Sequence, residues 1–158
     1  MESRARFLGH PVHQMLIVFP LGLLATALVF DTVYLVANAP TMALVAYWLI
    51  TAGIVGGLVA APFGTIDWMA IPRGTRAKRV GLAHGLGNVV VLILFACSWV
   101  LRNEVRDHPG AMALILSYCA GGLALVTAWL GGELVSRLGV GVSDGASLDA
   151  SNSMTHER

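Results

Sequence analysis

The chain has 158 residues, of which 56% are hydrophobic and 12% charged, with a mean hydropathy of +0.74 and a formal net charge of +1. Soluble domains contain roughly 25% charged and roughly 45–50% apolar residues, so this composition excludes an ordinary water-soluble fold. A net charge so close to zero also gives no support for nucleic-acid binding.

Four apolar stretches follow one another, each near the roughly 20 residues that cross a hydrocarbon core of roughly 30 Å. They lie at about residues 15–36, 42–63, 80–101 and 111–134. Pro40 stands in the short first connection, which makes the first two stretches an antiparallel hairpin. The sequence therefore predicts an all-α integral membrane protein, a four-helix up-down bundle within residues 1–138, followed by a mobile polar tail at residues 139–158.

The basic residues are unevenly distributed between the two sides of the predicted bundle. Only Arg102 and Arg106 lie in the loop between the third and fourth stretches. Because basic residues accumulate on the cytoplasmic side, both termini and the central loop are predicted to be cytoplasmic, as is the tail. The residues on that side are Arg4, Arg6, Arg73, Arg76, Lys78, Arg79, Arg137 and Arg158.

Most side chains that could bind a ligand lie at the predicted cytoplasmic ends of the four stretches. An up-down bundle brings the starts of the first and third stretches next to the ends of the second and fourth. These ends carry His10, His13, Asp67, His84 and Glu133. Ionisable groups at membrane depth are costly and mark functional sites, so we expect a shared site here.

Two kinds of cofactor suit such a site. All five side chains together form a suitable ligand set for a divalent first-row metal ion. His13 and His84, which belong to different helices, are instead suited to bind the iron of haem b axially. A haem protein of this kind would transfer electrons between a membrane quinone and a soluble partner.

These side chains also have explanations without a cofactor. Asp67 has Arg73 or Arg76 as candidate ion-pair partners, and Glu133 precedes Arg137 by four residues, the favourable order on a helix. A cofactor-free structural or accessory membrane subunit is therefore the alternative function.

Asp31 lies in the first stretch, near its predicted outer end, with Arg102 as the one cation near it. The favoured interpretation is an interfacial carboxylate that reaches for water, and the alternative is a relay for protons or ions. A small transporter that uses Asp31 is the second alternative function. No inverted repeat of the kind found in many transporters is evident, which weighs against it.

Three separated motifs carry a resemblance to a known family. They are "GHPVHQMLIVFPLGLL" from Gly9, "GTIDWMAIPRGTRAKRVGLAHGLGN" from Gly64 and "GGELVSRLGVGV" from Gly131. In this order they resemble the bacterial membrane proteins grouped as domain of unknown function 2231, over nearly the whole chain up to Val142. The resemblance implies a multi-pass, four-helix protein of the bacterial cytoplasmic (inner) membrane, with suspected redox or haem-linked roles. A further histidine of the family's first motif is replaced here by Val18.

No catalytic motif stands out, because the chain has no nucleophile elbow, no Gly-rich phosphate loop and no zinc-protease helix motif. We therefore expect a protein that is not an enzyme. The expected partners are the lipid bilayer, a second copy of the chain and a membrane redox protein, since small-residue helix faces suit close helix packing.

Overall fold

The computed structural model describes residues 1–154, so His156 and Arg158 of the predicted tail lie outside the described residues. The chain begins with a small antiparallel pair of strands, β1 (Arg6–Phe7) and β2 (His10–Pro11). Within the described residues the helices are α1 (Val12–Leu16), α2 (Val18–Ala37), α3 (Pro40–Ala70), α4 (Arg76–Arg102) and α5 (Ala111–Ser136).

Four elements are long and apolar enough to cross a membrane: Val12–Ala37, which joins α1 and α2, then α3, α4 and α5. In each element we consider the 18 consecutive residues with the highest hydropathy. No more than 33% of these residues are buried inside the protein. Large side chains such as Val36, Leu125 and Trp129 are exposed on the outside of the bundle. A surface this apolar is typical of contact with lipid. The prediction of an all-α, four-helix integral membrane bundle is confirmed.

Local chemistry sets several helix ends. The first span is interrupted at Ile17, because Pro20 has no N–H to donate to the carbonyl of Leu16. Asn38 ends α2 in the left-handed conformation, with φ of 49°, which asparagine tolerates. Thr75 caps α4, since its side chain accepts a hydrogen bond of 3.1 Å from a backbone N–H three residues further on.

Two helices are longer than their apolar stretches. α3 continues through Pro62 to Ala70, whereas the stretch ends near residue 63. α4 begins at Arg76, before the predicted start at residue 80. The hydropathy pattern marks only the part of a helix that lipid surrounds, and the remaining turns carry the polar residues of the bundle end.

The helices form a closed ring in which each packs on its neighbours in the sequence and α5 packs on α2. α2 and α4 therefore lie diagonally across the bundle. We call α1, α2 and α3 hairpin A and α4 and α5 hairpin B, because the packing is most extensive inside these two units. The core between them contains Leu24, Ala27, Ala46, Ile50, Val91, Phe95 and Ala120.

One end of the bundle, here the terminal face, carries residues 1–11, the loop at 71–75 and the segment after α5. There the N–H of Gly141 donates to the carbonyl of Met1 at 2.9 Å, and the Ser153 hydroxyl donates to the carbonyl of Leu8 at 3.1 Å. The described part of the predicted tail thus contacts the N-terminal segment, while the mobility of residues 139–158 stays a prediction. The opposite end, the loop face, carries residues 38–39 and 103–110.

Candidate functional site

His13 lies in α1 near the terminal face, with its imidazole against α3. Its Nδ1 is 3.0 Å from the main-chain carbonyl oxygen of Ala60. Because a carbonyl oxygen only accepts, Nδ1 is the donor and carries the proton. Gly64, one turn further along α3, leaves room for the ring, since a Cβ there would lie 2.7 Å from His13 Cε1. A backbone carbonyl and a glycine thus orient His13.

His84 has the same environment in hairpin B. Its Nδ1 is 2.8 Å from the main-chain carbonyl oxygen of Thr127 on α5, so Nδ1 again donates. Gly131, again one turn further along, faces the ring, and a Cβ there would lie 3.0 Å from His84 Cε1. Each hairpin therefore holds one imidazole in the same way.

Asn88 and Thr127 close a ring of hydrogen bonds around His84. The Asn88 amide nitrogen lies 3.2 Å from His84 Nε2, and the Thr127 hydroxyl donates to Asn88 Oδ1 at 3.0 Å. Since the proton of the neutral imidazole is on Nδ1, Nε2 has the lone pair that accepts from the amide. This network ties α4 to α5 and gives His84 a defined tautomer.

The two imidazoles belong to different hairpins, and each is held against the second helix of its own hairpin. Each donates through Nδ1 to a carbonyl, which leaves the lone pair on Nε2. Nε2 is the nitrogen that binds a metal when Nδ1–H is hydrogen-bonded in this way. Each of the two histidines could therefore supply a nitrogen ligand through Nε2, His84 in exchange for its hydrogen bond from Asn88.

His10 lies apart from this pair. It pairs with Phe7 in the small sheet and is exposed. Its Nε2 is 3.3 Å from the hydroxyl of Ser153, in the segment that follows α5. The structure thus places His10 on the outer surface of the terminal face.

Asp67, near the end of α3, fastens the N-terminal segment to the bundle. Its carboxylate accepts from the Ser3 hydroxyl at 2.7 and 2.8 Å and from the N–H groups of Arg4 at 2.8 Å and Ala5 at 3.3 Å. The expected ion pair with a basic residue of the 71–79 region is not what the structure shows. The carboxylate instead accepts hydrogen bonds from donor groups of residues 3–5.

Replacing Asp67 with asparagine is expected to release this segment while leaving the helices packed. A hydrogen bond to a charged group contributes about 1.5–3 kcal/mol, so amide hydrogen exchange at Arg4 and Ala5 should become about tenfold faster or more. Exchange mass spectrometry measures the change. Glu104→Gln, an exposed carboxylate at the loop face, is the control. Unchanged exchange in Asp67→Asn would show that other contacts hold residues 1–5.

Glu133, near the end of α5, forms an ion pair with Arg76 at the start of α4, with Oε1 and Nη2 2.7 Å apart. The predicted partner was Arg137, four residues further along the same helix. The observed pair joins the two helices of hairpin B.

Among residues 1–154, no group of three or more His, Cys, Asp or Glu side chains could hold a metal ion. The structure therefore does not bring His10, Asp67 and Glu133 together with the two imidazoles.

The sequence analysis named Arg102 as the cation near Asp31 but did not predict that the two form a buried ion pair. Both side chains are 0% exposed, and Arg102 donates from Nη1 and Nη2 to the two carboxylate oxygens of Asp31, each at 2.7 Å. The interpretation of Asp31 as an interfacial carboxylate reaching for water is wrong, because a guanidinium from the diagonally opposite helix takes the place of water.

Two serines complete the surroundings of Arg102. The Ser98 hydroxyl accepts from Nε at 3.2 Å, and the Ser117 hydroxyl accepts from Nη2 at 3.1 Å. In the described part of the chain, every buried polar side-chain atom has a hydrogen-bond partner. The sequence contained one signal for this pair: Asp31 follows His13 by 18 positions, and Arg102 follows His84 by the same 18.

Comparison with known proteins gives one match. A family model described as "Predicted membrane protein (DUF2231)" matches residues 9–144, which include both imidazoles and the buried ion pair. No curated protein and no solved structure matches the chain.

Proposed function

The chain belongs to the DUF2231 family of predicted membrane proteins, and we propose that this multi-pass membrane protein binds one haem b through His13 and His84 and transfers electrons. The observation that carries the proposal is the pair of imidazoles. Each is fixed through Nδ1 to a carbonyl of its own hairpin, and both lie toward the terminal face of the bundle.

The number of protein ligands favours haem over a bare metal ion. Haem iron takes four nitrogen ligands from the porphyrin, so two imidazoles complete its coordination. A zinc ion in a structural site takes four protein ligands, and Mg²⁺ or Ca²⁺ prefers oxygen. Within residues 1–154 no three His, Cys, Asp or Glu side chains form a group that could hold a metal ion, so two imidazoles suit a haem better than a bare ion.

The haem would supply one-electron oxidation and reduction, and the protein would supply its position. The Nδ1–H bonds to Ala60 and Thr127 orient the two rings and make Nε2 a better donor. Asn88 would give up its hydrogen bond to Nε2 of His84 and keep the one to the carbonyl of His84.

The location is part of the proposal. The basic residues of the terminal face favour a bacterial cytoplasmic membrane with both termini inside. Residues at the start of α4, such as Arg76 and Arg79, are exposed there. They would attract a soluble, acidic redox partner to the end of the bundle at which the imidazoles lie, while a membrane quinone would exchange electrons from the lipid.

Absorption spectra of the detergent-purified protein, expressed with haem available, test the proposal. The wild type is expected to show a Soret band and a stoichiometric amount of haem. His13→Ala and His84→Ala should each lose both, because each removes one axial ligand. His10→Ala is the matched control, since His10 is exposed three residues before His13, and it should keep the band. A wild-type protein without a Soret band would contradict the proposal.

A second candidate, a cofactor-free accessory subunit, is favoured by one observation. The Asn88 amide already satisfies His84 Nε2, so the hydrogen bonds around His84 are complete without a ligand. In that case the spectrum would show no cofactor, and His84→Ala would lower the melting temperature through loss of the contact between α4 and α5.

A further inference from the structure

The two hairpins are equivalent to each other in their pattern of buried residues. In the first helices, a shift of 71 positions relates the four buried residues of α2 to those of α4, apart from Gly81. The pairs are Pro20 and Val91, Leu24 and Phe95, Ala27 and Ser98, and Asp31 and Arg102. In the second helices the shift is 67 positions, and apart from Ala43 and Leu134 it relates the buried residues Ala46, Tyr47, Ile50, Gly53 and Ala60 to Ala113, Leu114, Ser117, Ala120 and Thr127.

The residues that contact the two imidazoles are related by the same two shifts in residue number. His84 follows His13 by 71 positions, and the acceptor Thr127 follows the acceptor Ala60 by 67. The glycines against the two rings, Gly64 and Gly131, are also 67 positions apart. Hydrogen bonds and burial thus agree independently that hairpin B repeats hairpin A.

Equivalent polar residues mark two levels of the bundle, and at one of them they are in contact. α2 and α4 run in the same direction and lie diagonally, so a two-fold axis parallel to the helices relates them. A residue that contacts its own equivalent lies beside this axis, as Asp31 and Arg102 do. His13 and His84 are equivalent residues at the other level, toward the terminal face. Eighteen residues of helix separate the levels by about 27 Å, close to the thickness of the hydrocarbon core.

The residues at the Asp31 level decide which hairpins can pair. Two copies of hairpin A would bring two aspartates together at a buried position, and two copies of hairpin B would bring two arginines together. Like charges in a buried interface exclude a partner, whereas opposite charges with complete hydrogen bonds admit it. Hairpin A with hairpin B is the combination in which the charges are opposite.

We infer that the surface between the hairpins is a recognition interface in which the Asp31–Arg102 pair makes hairpin A take hairpin B, and not a second hairpin A, as its partner. The protein is thus built as a fused pair of related hairpins that have become complementary. The inference goes beyond the proposed function, because it holds whether or not the imidazoles bind haem.

Exchanging the two charges in the full chain tests this inference. Asp31→Arg and Arg102→Asp alone should each lower the folding equilibrium constant about 100-fold or more, because each places like charges together in the core. The double exchange should recover at least tenfold over the worse single variant. The amount of monodisperse monomer in detergent and its melting temperature are the measurements. If the single variants do not accumulate, recovery of the double variant is itself the expected result.

A larger exchange tests the equivalence of the hairpins. Ser98 and Ser117 correspond to Ala27 and Ile50, so an arginine at position 31 lacks its two serines. Adding Ala27→Ser, Ile50→Ser, Ser98→Ala and Ser117→Ile moves the serines to hairpin A and keeps the total side-chain volume. This variant should be more stable than the double exchange, and lower stability would overturn the equivalence.

The control exchanges a pair that lies within hairpin B. Arg76→Glu with Glu133→Arg reverses a partly exposed ion pair, and each single change should alter stability only slightly. A double exchange of Asp31 and Arg102 no more stable than the worse single variant would overturn the inference. So would single reversals that fold as well as the wild type.

Discussion

Replacing Asp31 with asparagine is expected to lower the free energy of unfolding by about 3–5 kcal/mol, which is the cost of removing one partner of a buried ion pair. Arg102 would keep its charge at 0% exposure. Only neutral acceptors, chiefly the hydroxyls of Ser98 and Ser117, would remain for its donors. Unfolding of the purified protein in mixed detergent measures the loss, and we expect little folded monomer at temperatures where the wild type is intact.

Asp107→Asn is the matched control, because Asp107 lies at the loop face, toward the same end of the bundle as Asp31, but its side chain is 55% exposed and contacts the exposed imidazole of His108. Exposed pairs contribute about 0–1 kcal/mol, so this variant should unfold like the wild type. If Asp31→Asn and Asp107→Asn proved equally stable, the buried pair would not stabilise the bundle.

A valine at position 64 is expected to displace His13 from its acceptor on α3 and to abolish the proposed haem absorbance. The first carbon of the new side chain would already lie 2.7 Å from Cε1 of His13, closer than carbon atoms approach. The ring must move off the carbonyl of Ala60, and the overpacking should cost about 1–3 kcal/mol. Absorption spectra and melting temperatures, recorded on the same sample, separate loss of the site from loss of the fold.

Gly85→Ala is the control for this substitution. Gly85 is next to His84 on α4, but a Cβ there would meet nothing within 4 Å. Alanine favours a helix over glycine by about 1 kcal/mol, so this variant should keep its spectrum and be at least as stable. A Gly64→Val protein with an unchanged Soret band would show that the position of His13 does not matter for haem binding.

The helices were predictable because a lipid-facing helix needs apolar residues over its whole membrane length. Each predicted stretch lies inside an observed membrane-length element. The helix ends were less predictable, since the turns outside lipid carry no hydropathy signal. α3 reaches Ala70 because its last turns hold Asp67 against the N-terminal segment.

The candidate site was predictable in part. An up-down topology brings helix starts and ends to one face, which was enough to place His13 and His84 toward the same end of the bundle. It does not determine which polar group a side chain meets. Glu133 forms an ion pair with Arg76 and not with the predicted Arg137. Asp67 accepts hydrogen bonds from residues 3–5 and does not pair with a basic side chain. The sequence allowed more than one hydrogen-bond or ion-pair partner for each of these side chains. Which partner is in contact depends on how each helix is rotated about its axis.

The sequence by itself determined the class of protein, the four helices, their up-down order and the face at which the histidines lie, because hydropathy and chain connectivity are local properties. Only the tertiary structure decided the rest. The pairing of Asp31 with Arg102 joins helices that are 71 positions apart in the chain and diagonal in the bundle. The Nδ1 contacts of both imidazoles likewise depend on carbonyls of neighbouring helices. The ion pair arises from the packing of hairpin A against hairpin B, and the imidazole contacts arise from the packing of helices inside each hairpin. Neither hydropathy nor chain connectivity determines this packing.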